Sequence, residues 1–285
     1  MAPLPPLTIG VCSWSLKVRS IKELKDCLDK LKLDVVQIAC GDPHHAAWEE
    51  GDQMPAAAKA AGFRMAGAML GFPGEDYTSP AIIAQTGGFG NPATRAERLE
   101  RFTWAVQRTK ELGLNDLMFH AGFIPDPMSP DRRGFLDTLG KAAALAWDHH
   151  ITLALETGQE TAAQLRRLLD DLQCPNVKIN FDPANMLLYD MDDPLGAAKM
   201  LAPDIRSVHA KDAIRPTTKG EWGTEMPLGQ GHVDIPRWVR LLHEHGYTGP
   251  LFIEREGVDQ TQALKDIAHG VRVLKKSVAQ AEMDR

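Results

Sequence analysis

The chain has 285 residues, 44% hydrophobic and 25% charged, an ordinary folded-protein composition with no case for disorder or a collagen-like repeat. A formal charge of −6 gives no long-range field for nucleic acid or an anionic membrane. No window is long and apolar enough for a membrane span, and Met1–Pro6 (MAPLPP) lacks a basic stretch ahead of an apolar one, so a cytoplasmic protein is expected. Cys12, Cys27, Cys40 and Cys174 show no close pairing, which argues against disulfides or a thiolate zinc site and for reduced core residues.

Short apolar runs alternate with longer segments of helical spacing, the pattern of βα units around a parallel sheet. In chain order the runs are Leu7–Ser13, Asp34–Ala39, Phe63–Met69, Asp116–Ala121, Ile151–Glu156, Val177–Asp182, Ile205–Ala210 and Pro250–Glu254. Between them, Ile21–Leu31, Ala93–Leu112, Arg133–Asp148, Thr161–Leu172, Pro236–His245 and Gln260–Val278 carry helix-like spacing. Ser20 and Asp131 are candidate N-caps, and Gly62, Gly113 and Gly246 are candidate C-terminal glycines. Eight such units in about 250 residues are the size of a (β/α)8 TIM barrel. A doubly wound open sheet is the competitor. A helix closing the last unit, and no glycine-rich dinucleotide fingerprint after the first run, favour an α/β TIM barrel forming a single domain over residues 1–285. The long connections Leu70–Pro92 and Lys211–Asp234 leave C-terminal strand ends, which places them over the mouth as lids or pocket walls.

Ionisable residues sit where packing alone would put apolar ones. Glu156 closes LALE, Asp182 closes INFD, His209 lies in SVHAKD and Glu254 closes FIE. Consecutive strand ends of a barrel face one axis, so these four side chains converge. Each acidic residue alone reads equally as a helix N-cap or loop charge, but carboxylates buried together repel one another unless a cation joins them. Three carboxylates and an imidazole suit one divalent ion with open water positions, Mn²⁺ first, with Mg²⁺, Co²⁺ or Zn²⁺ as alternatives.

The order Glu, Asp, His, Glu, written here as ALETG, NFDPAN, VHAKD and FIERE, resembles the xylose-isomerase-like sugar-phosphate isomerase/epimerase superfamily, which includes ketose 3-epimerases, inosose dehydratases and, more distantly, endonuclease IV. The resemblance covers essentially the whole chain, most specifically GQGHVDIPRWVRLLHEHGYTGPLFIERE. It implies a TIM barrel with one divalent metal held by Glu156, Asp182, His209 and Glu254, and a carbohydrate or polyol substrate. Glu156 and Glu254 would then lie on opposite faces of the substrate, one removing the proton beside a carbonyl and the other returning one, through an enediolate. Ketose 3-epimerases usually carry histidine three residues after the metal-binding aspartate, where this chain has Asn185; a neutral amide hydrogen-bonds a hydroxyl but shares no charge with the enediolate. Similar barrels are commonly dimers or tetramers, although no sequence patch marks a homo-oligomer interface.

Further candidates border the mouth. His120 ends MFHAG and reads as a substrate donor rather than a packed core histidine; Lys211, two residues after His209 and on the same side, reads as an anion or carbonyl contact, and Asp212 as a loop bridge. Trp14 and Phe72 offer an apolar wall for sugar C–H groups or ordinary lid packing. Gly229 and Gly231 let the backbone approach a ligand or simply make a turn, with Gln230 or His232 as a substrate contact. His44 and His45 read as a loop or pocket feature, and His149 and His150 as structural. No P-loop is present, so phosphate recognition is not implied. An isomerase or epimerase acting on a sugar, keto-sugar or cyclic polyol is the leading expectation. The alternative is a lyase or dehydratase eliminating from a 3-keto-glycoside or inosose; an endonuclease IV-like phosphodiesterase and a non-catalytic sugar-binding barrel follow.

Overall fold

The computed structural model describes residues 7–41 and 47–283. Apolar strand residues drive the centre of the fold: β1 (Ile9–Cys12), β2 (Val35–Ala39), β3 (Arg64–Leu70), β4 (Asp116–Phe119), β5 (Thr152–Glu156), β6 (Val177–Phe181) and β7 (Ile205–Ala210) are followed by β8 (Asp212–Ile214), β9 (Thr224–Met226) and β10 (Leu251–Ile253). β1–β7 and β10 close a barrel in the order β1-β10-β7-β6-β5-β4-β3-β2, every pair parallel, while β8 and β9 form a separate antiparallel hairpin. The register sets Glu156 opposite Asn180 and Phe252 opposite His209, so polar strand ends share one rim.

The helices are α1 (Ile21–Leu31), α2 (Met54–Ala60), α3 (Pro80–Thr86), α4 (Arg95–Leu112), α5 (Arg132–Asp148), α6 (Ala162–Leu172), α7 (Pro183–Leu188), α8 (Pro194–Leu201), α9 (Ile235–Glu244) and α10 (Gln260–Met283). α1 starts where expected: Ser20 Oγ accepts from Glu23 N, and Glu23 accepts from Arg19 N. α6 opens with a full capping box between Thr161 and Gln164. Gly62, Gly113 and Gly246 take the positive φ their helix ends need. Asp131 occupies the N-cap position of α5 without capping it, because Arg95 holds its carboxylate with two hydrogen bonds of 2.8 and 2.6 Å.

Both long connections, expected from the sequence as lids or pocket walls, contain regular structure. The first holds α3, and the second is built on the β8–β9 hairpin. Helices of six to eight residues are too short to show a period; α3, α7 and α8 instead begin with Pro in the first turn and a capping Ser79, Asp182 or Asp193. The first connection is anchored beneath by Phe72, Phe89, Phe102 and Phe119, whose neighbouring rings lie 5.3–6.2 Å apart. Glu75 joins its ends, accepting from Phe72 N at 3.0 Å and Gly88 N at 2.8 Å. Asp212 organises the second by accepting from the backbone N–H groups of Ala213, Gly229, Gly231 and Val233. A Cβ at Gly231 would lie 2.2 Å from Asp212 Oδ1, so that glycine serves close approach to a carboxylate rather than to a ligand. Among the described residues no helix is long and apolar enough to cross a membrane.

Candidate active site

Glu156 ends β5, Asp182 follows β6 as the N-cap of α7, His209 lies in β7, and Glu254 follows β10. All four are buried, and each offers one donor atom within 4.8 Å of the others'. Thr157 ties the rims of β5 and β6 together, donating to Asp182 O at 2.9 Å and accepting from Asp182 N at 2.8 Å. Asp182 Oδ1 accepts from Ala184 N and Asn185 N, whereas Oδ2 is buried without a hydrogen-bond partner. A buried carboxylate oxygen with no hydrogen bond, facing two more carboxylates and only the Lys211 ammonium 4.0 Å away, is what a cation would satisfy, and the hard oxygen-rich donor set fits a divalent one. Cys12 lies within the same reach of His209 and Glu254; burial pushes its thiol up to about 12, and the sulfur donates to Gln37 Oε1.

The electrostatics split the carboxylates. Burial would raise Glu254, but Lys211 and His209 beside it hold its carboxyl well below the usual range. Burial is likewise overruled at Glu156, which His209 and His120 hold low. Burial carries Asp182 well above its ordinary value against the pull of Lys211, with Glu254 and Glu156 adding to the rise. His209 Nδ1 lies 2.8 Å from Glu156 Oε1 and 3.4 Å from Glu254 Oε2, and Nε2 lies 2.7 Å from Gln37 Oε1. Both ring nitrogens face acceptors, so these surroundings select the imidazolium.

An open cavity of about 800 Å³ rises from this floor. Trp14, His120, Asn185 and Lys211 border it. Trp14 Nε1 donates to Glu254 Oε1 at 2.6 Å, and His120 Nε2 lies 3.1 Å from Glu156 Oε2. Lys211 Nζ reaches Glu254 Oε2 at 2.8 Å and Glu256 Oε2 at 2.7 Å. Asn185 Nδ2 donates to Thr157 O at 2.9 Å and stands 3.5 Å from Glu156 Oε1.

Two candidates fall elsewhere. Phe72 is fully buried in the phenylalanine cluster with the Arg98 guanidinium 5.4 Å from its ring centroid, so its role is packing. Gln230 is exposed in the turn organised by Asp212 and does not line the cavity; His232 is exposed as well. His44 and His45 lie outside the described residues. His149 and His150 follow α5 and precede β5, at the barrel end away from the site. The sequence reading missed Gln37, whose signal was a polar residue in the middle of VVQIA. It also missed Glu256, Tyr77, Tyr189 and Trp222, which come from connections without periodicity.

The profile of the xylose isomerase-like TIM barrel family matches residues 25–277. A xylose isomerase domain protein from Planctomyces limnophilus superposes with a TM-score of 0.85 at 31% identity, covering 99% of both chains. A D-tagatose 3-epimerase-like protein superposes at 0.73 with 20% identity, covering 98% of this chain and 99% of its own. An L-ribulose-5-phosphate 3-epimerase of Escherichia coli is 25% identical over 202 residues, 69% of each chain. The chain therefore belongs to the xylose isomerase-like TIM barrel family and is an enzyme whose relatives include sugar epimerases.

Proposed function

We propose that the protein is a divalent-metal-dependent epimerase or isomerase of a sugar, keto-sugar or cyclic polyol, acting through an enediolate. The observation that carries this reading is the pair Glu156 and Glu254, two buried carboxylates held low and three strands apart around the barrel, with Asp182 Oδ2 between them, which accepts no hydrogen bond and has Lys211 Nζ 4.0 Å away. Glu156, Asp182, His209 and Glu254 would hold the cation, with Mn²⁺ as first choice. When bound, it supplies Lewis acidity to adjacent sugar oxygens, which lowers the cost of the negative charge developing beside a carbonyl.

The residues do the rest. One of Glu156 and Glu254 removes the proton from one face of the carbon, and the other returns a proton from the opposite face, inverting it. His120, 3.1 Å from Glu156 Oε2, orients that carboxylate and exchanges hydrogen bonds with substrate hydroxyls. Lys211 keeps Glu254 ionised and borders the cavity, within reach of a substrate oxygen. Trp14 fixes Glu254 from the other oxygen and offers its ring to C–H groups. Asn185 supplies a neutral donor beside Glu156.

The test has two stages. Elemental analysis of the protein and of Asp182→Ala and His209→Ala is expected to show about one equivalent of a divalent metal that the variants lose. The protein is then incubated in D₂O with a panel of keto-sugars and polyols. Deuterium at the inverted carbon supports the reading; inversion without deuterium, or a protein that binds no divalent metal even after Mn²⁺ is added, overturns it.

A second reading, elimination from a 3-keto-glycoside or inosose, is favoured by Asn185. Its side chain is a neutral amide donating to Thr157 O, and no imidazole stands there to share charge. An unsaturated product or a released aglycone would select it.

A further inference from the structure

The cavity above the floor has an aromatic wall that the proton-transfer chemistry leaves unused. Tyr77 comes from the connection after β3, Tyr189 from the C-terminal end of α7, and Trp222 from the β8–β9 hairpin. Trp222 Nε1 donates to Tyr77 O at 3.0 Å, and the Tyr189 and Trp222 rings pack edge-on with centroids 4.6 Å apart. Tyr77 stands 6.3 Å, centroid to centroid, from His120, so the wall continues directly from the Glu156 side of the floor. Neither phenol hydroxyl has a hydrogen-bond partner among the described residues. Both phenols are held well above their ordinary range, Tyr189 by burial, so they stay neutral and able to donate.

Size and charge narrow what this wall takes. A volume of about 800 Å³ lies toward the upper end of the range for drug-sized ligands, roughly 300–1,000 Å³, and one sugar ring on the floor would leave the outer part to solvent. Two carboxylates border the outer part on this side, Glu75 and Glu225, the latter ion-paired with Arg255 at 3.1 Å. Lys211 is taken up by Glu254 and Glu256, Lys17 Nζ donates to Glu256 O at 3.0 Å, and Arg19 comes from the connection after β1, three strands round the barrel from β6 and the α7 that follows it. A phosphate reaching the aromatic wall would find Arg255 and Arg215 already paired, with Glu225 and Asp266 and with Asp190, whereas a neutral ring meets aromatic faces and phenol donors.

We infer that Tyr77, Tyr189 and Trp222 form a second ring subsite, and that the substrate is a neutral glycoside of two rings, sugar or aryl, rather than a free monosaccharide or a sugar phosphate. The inference rests on the proposed function only in placing the first ring on the floor; the subsite itself is read from binding, without turnover.

The experiment titrates the protein, with and without Mn²⁺, against D-fructose, D-fructose 6-phosphate, sucrose and 4-nitrophenyl β-D-glucopyranoside. Calorimetry reads affinity, and Trp fluorescence serves as a second readout for the three sugars, the nitrophenyl probe being read by calorimetry alone. At least one two-ring probe is expected to bind about tenfold more tightly than fructose, the phosphate no more tightly than fructose. Trp222→Ala and Tyr189→Ala should each remove most of that advantage while fructose binding stays within twofold. Tyr189→Phe keeps the ring and should keep most of the advantage if an alanine variant proves misfolded by circular dichroism. Tightest binding of fructose or its phosphate, or a two-ring advantage that survives both alanine variants, overturns the inference. Loss of metal dependence with the two-ring preference intact would instead overturn the proposed function and leave the subsite standing.

Discussion

His209 Nε2 lies 2.7 Å from Gln37 Oε1, and both side chains are buried inside the barrel. Gln37 sits in the middle of β2 and presents an acceptor, so Nε2 keeps its proton, and Nδ1, on giving up the proton it shares with Glu156 and Glu254, is the nitrogen left to meet a cation. Gln37→Leu removes that hold, and metal affinity is expected to fall roughly 10- to 100-fold. Gln37→Glu keeps an acceptor at the same reach and should retain more of the affinity. Calorimetric Mn²⁺ titration of the three proteins checks the order; equal affinities would remove Gln37 from the site.

Glu156 and Glu254 are predicted to carry the proton transfers, so replacing either by the isosteric amide separates chemistry from folding. Glu156→Gln or Glu254→Gln should lower turnover by about 10²- to 10⁴-fold with the circular dichroism spectrum unchanged. Near-normal rates in both variants would sink the assignment.

The sequence offers Phe72 as a substrate wall or lid packing and Gln230 as a substrate contact in a turn, and the structure gives them different fates. Phe72 is fully buried against Phe89 and Phe119, so Phe72→Ala should cost about 3–5 kcal/mol in denaturant unfolding. Gln230 is exposed, and Gln230→Ala should change stability by less than about 0.5 kcal/mol. Neither should alter substrate specificity while the protein stays folded. A change in KM with Gln230→Ala would return that side chain to the pocket.

The barrel was legible because strand runs and helix periods repeat over the whole chain, and the floor because four ionisable residues interrupt apolar strand ends at one rim. Ile21–Leu31 matches α1 residue for residue, since Ser20 and Glu23 mark its start. Asp182 was legible as a strand end, while its second role, capping the six-residue α7, was not, because so short a helix has no period. The direction of side chains in connections was beyond pattern reading. Phe72 turns inward and Gln230 outward for reasons set by Glu75, Arg98 and Asp212, whose partners lie up to 26 residues away in sequence. Tyr77, Tyr189 and Trp222 come from three separate connections and meet only in three dimensions.

Glu160 gives a pH signature independent of the floor. It is 7% exposed, just ahead of the α6 cap, with Oε1 accepting from Gly158 N at 2.8 Å. Burial pushes its carboxyl from the ordinary 4.5 up to about 7, against that hydrogen bond and nearby His120. Between these two values the folded chain holds a proton that the unfolded chain has released. Stability therefore falls as pH rises through this window, is unaffected below it where both states are protonated, and carries the full penalty above it. The shift corresponds to about 3 kcal/mol. Glu160→Gln removes the ionisation, so its stability relative to the parent should rise by about that amount between pH 4.5 and 7 and level off above. Denaturant unfolding of both proteins from pH 4.5 to 8 reads the difference, in which contributions from titrating groups that do not interact with Glu160 cancel. A difference that stays flat across the window would show that Glu160 is ionised in the folded protein at acidic pH, with a donor beyond Gly158 N and His120 holding it there.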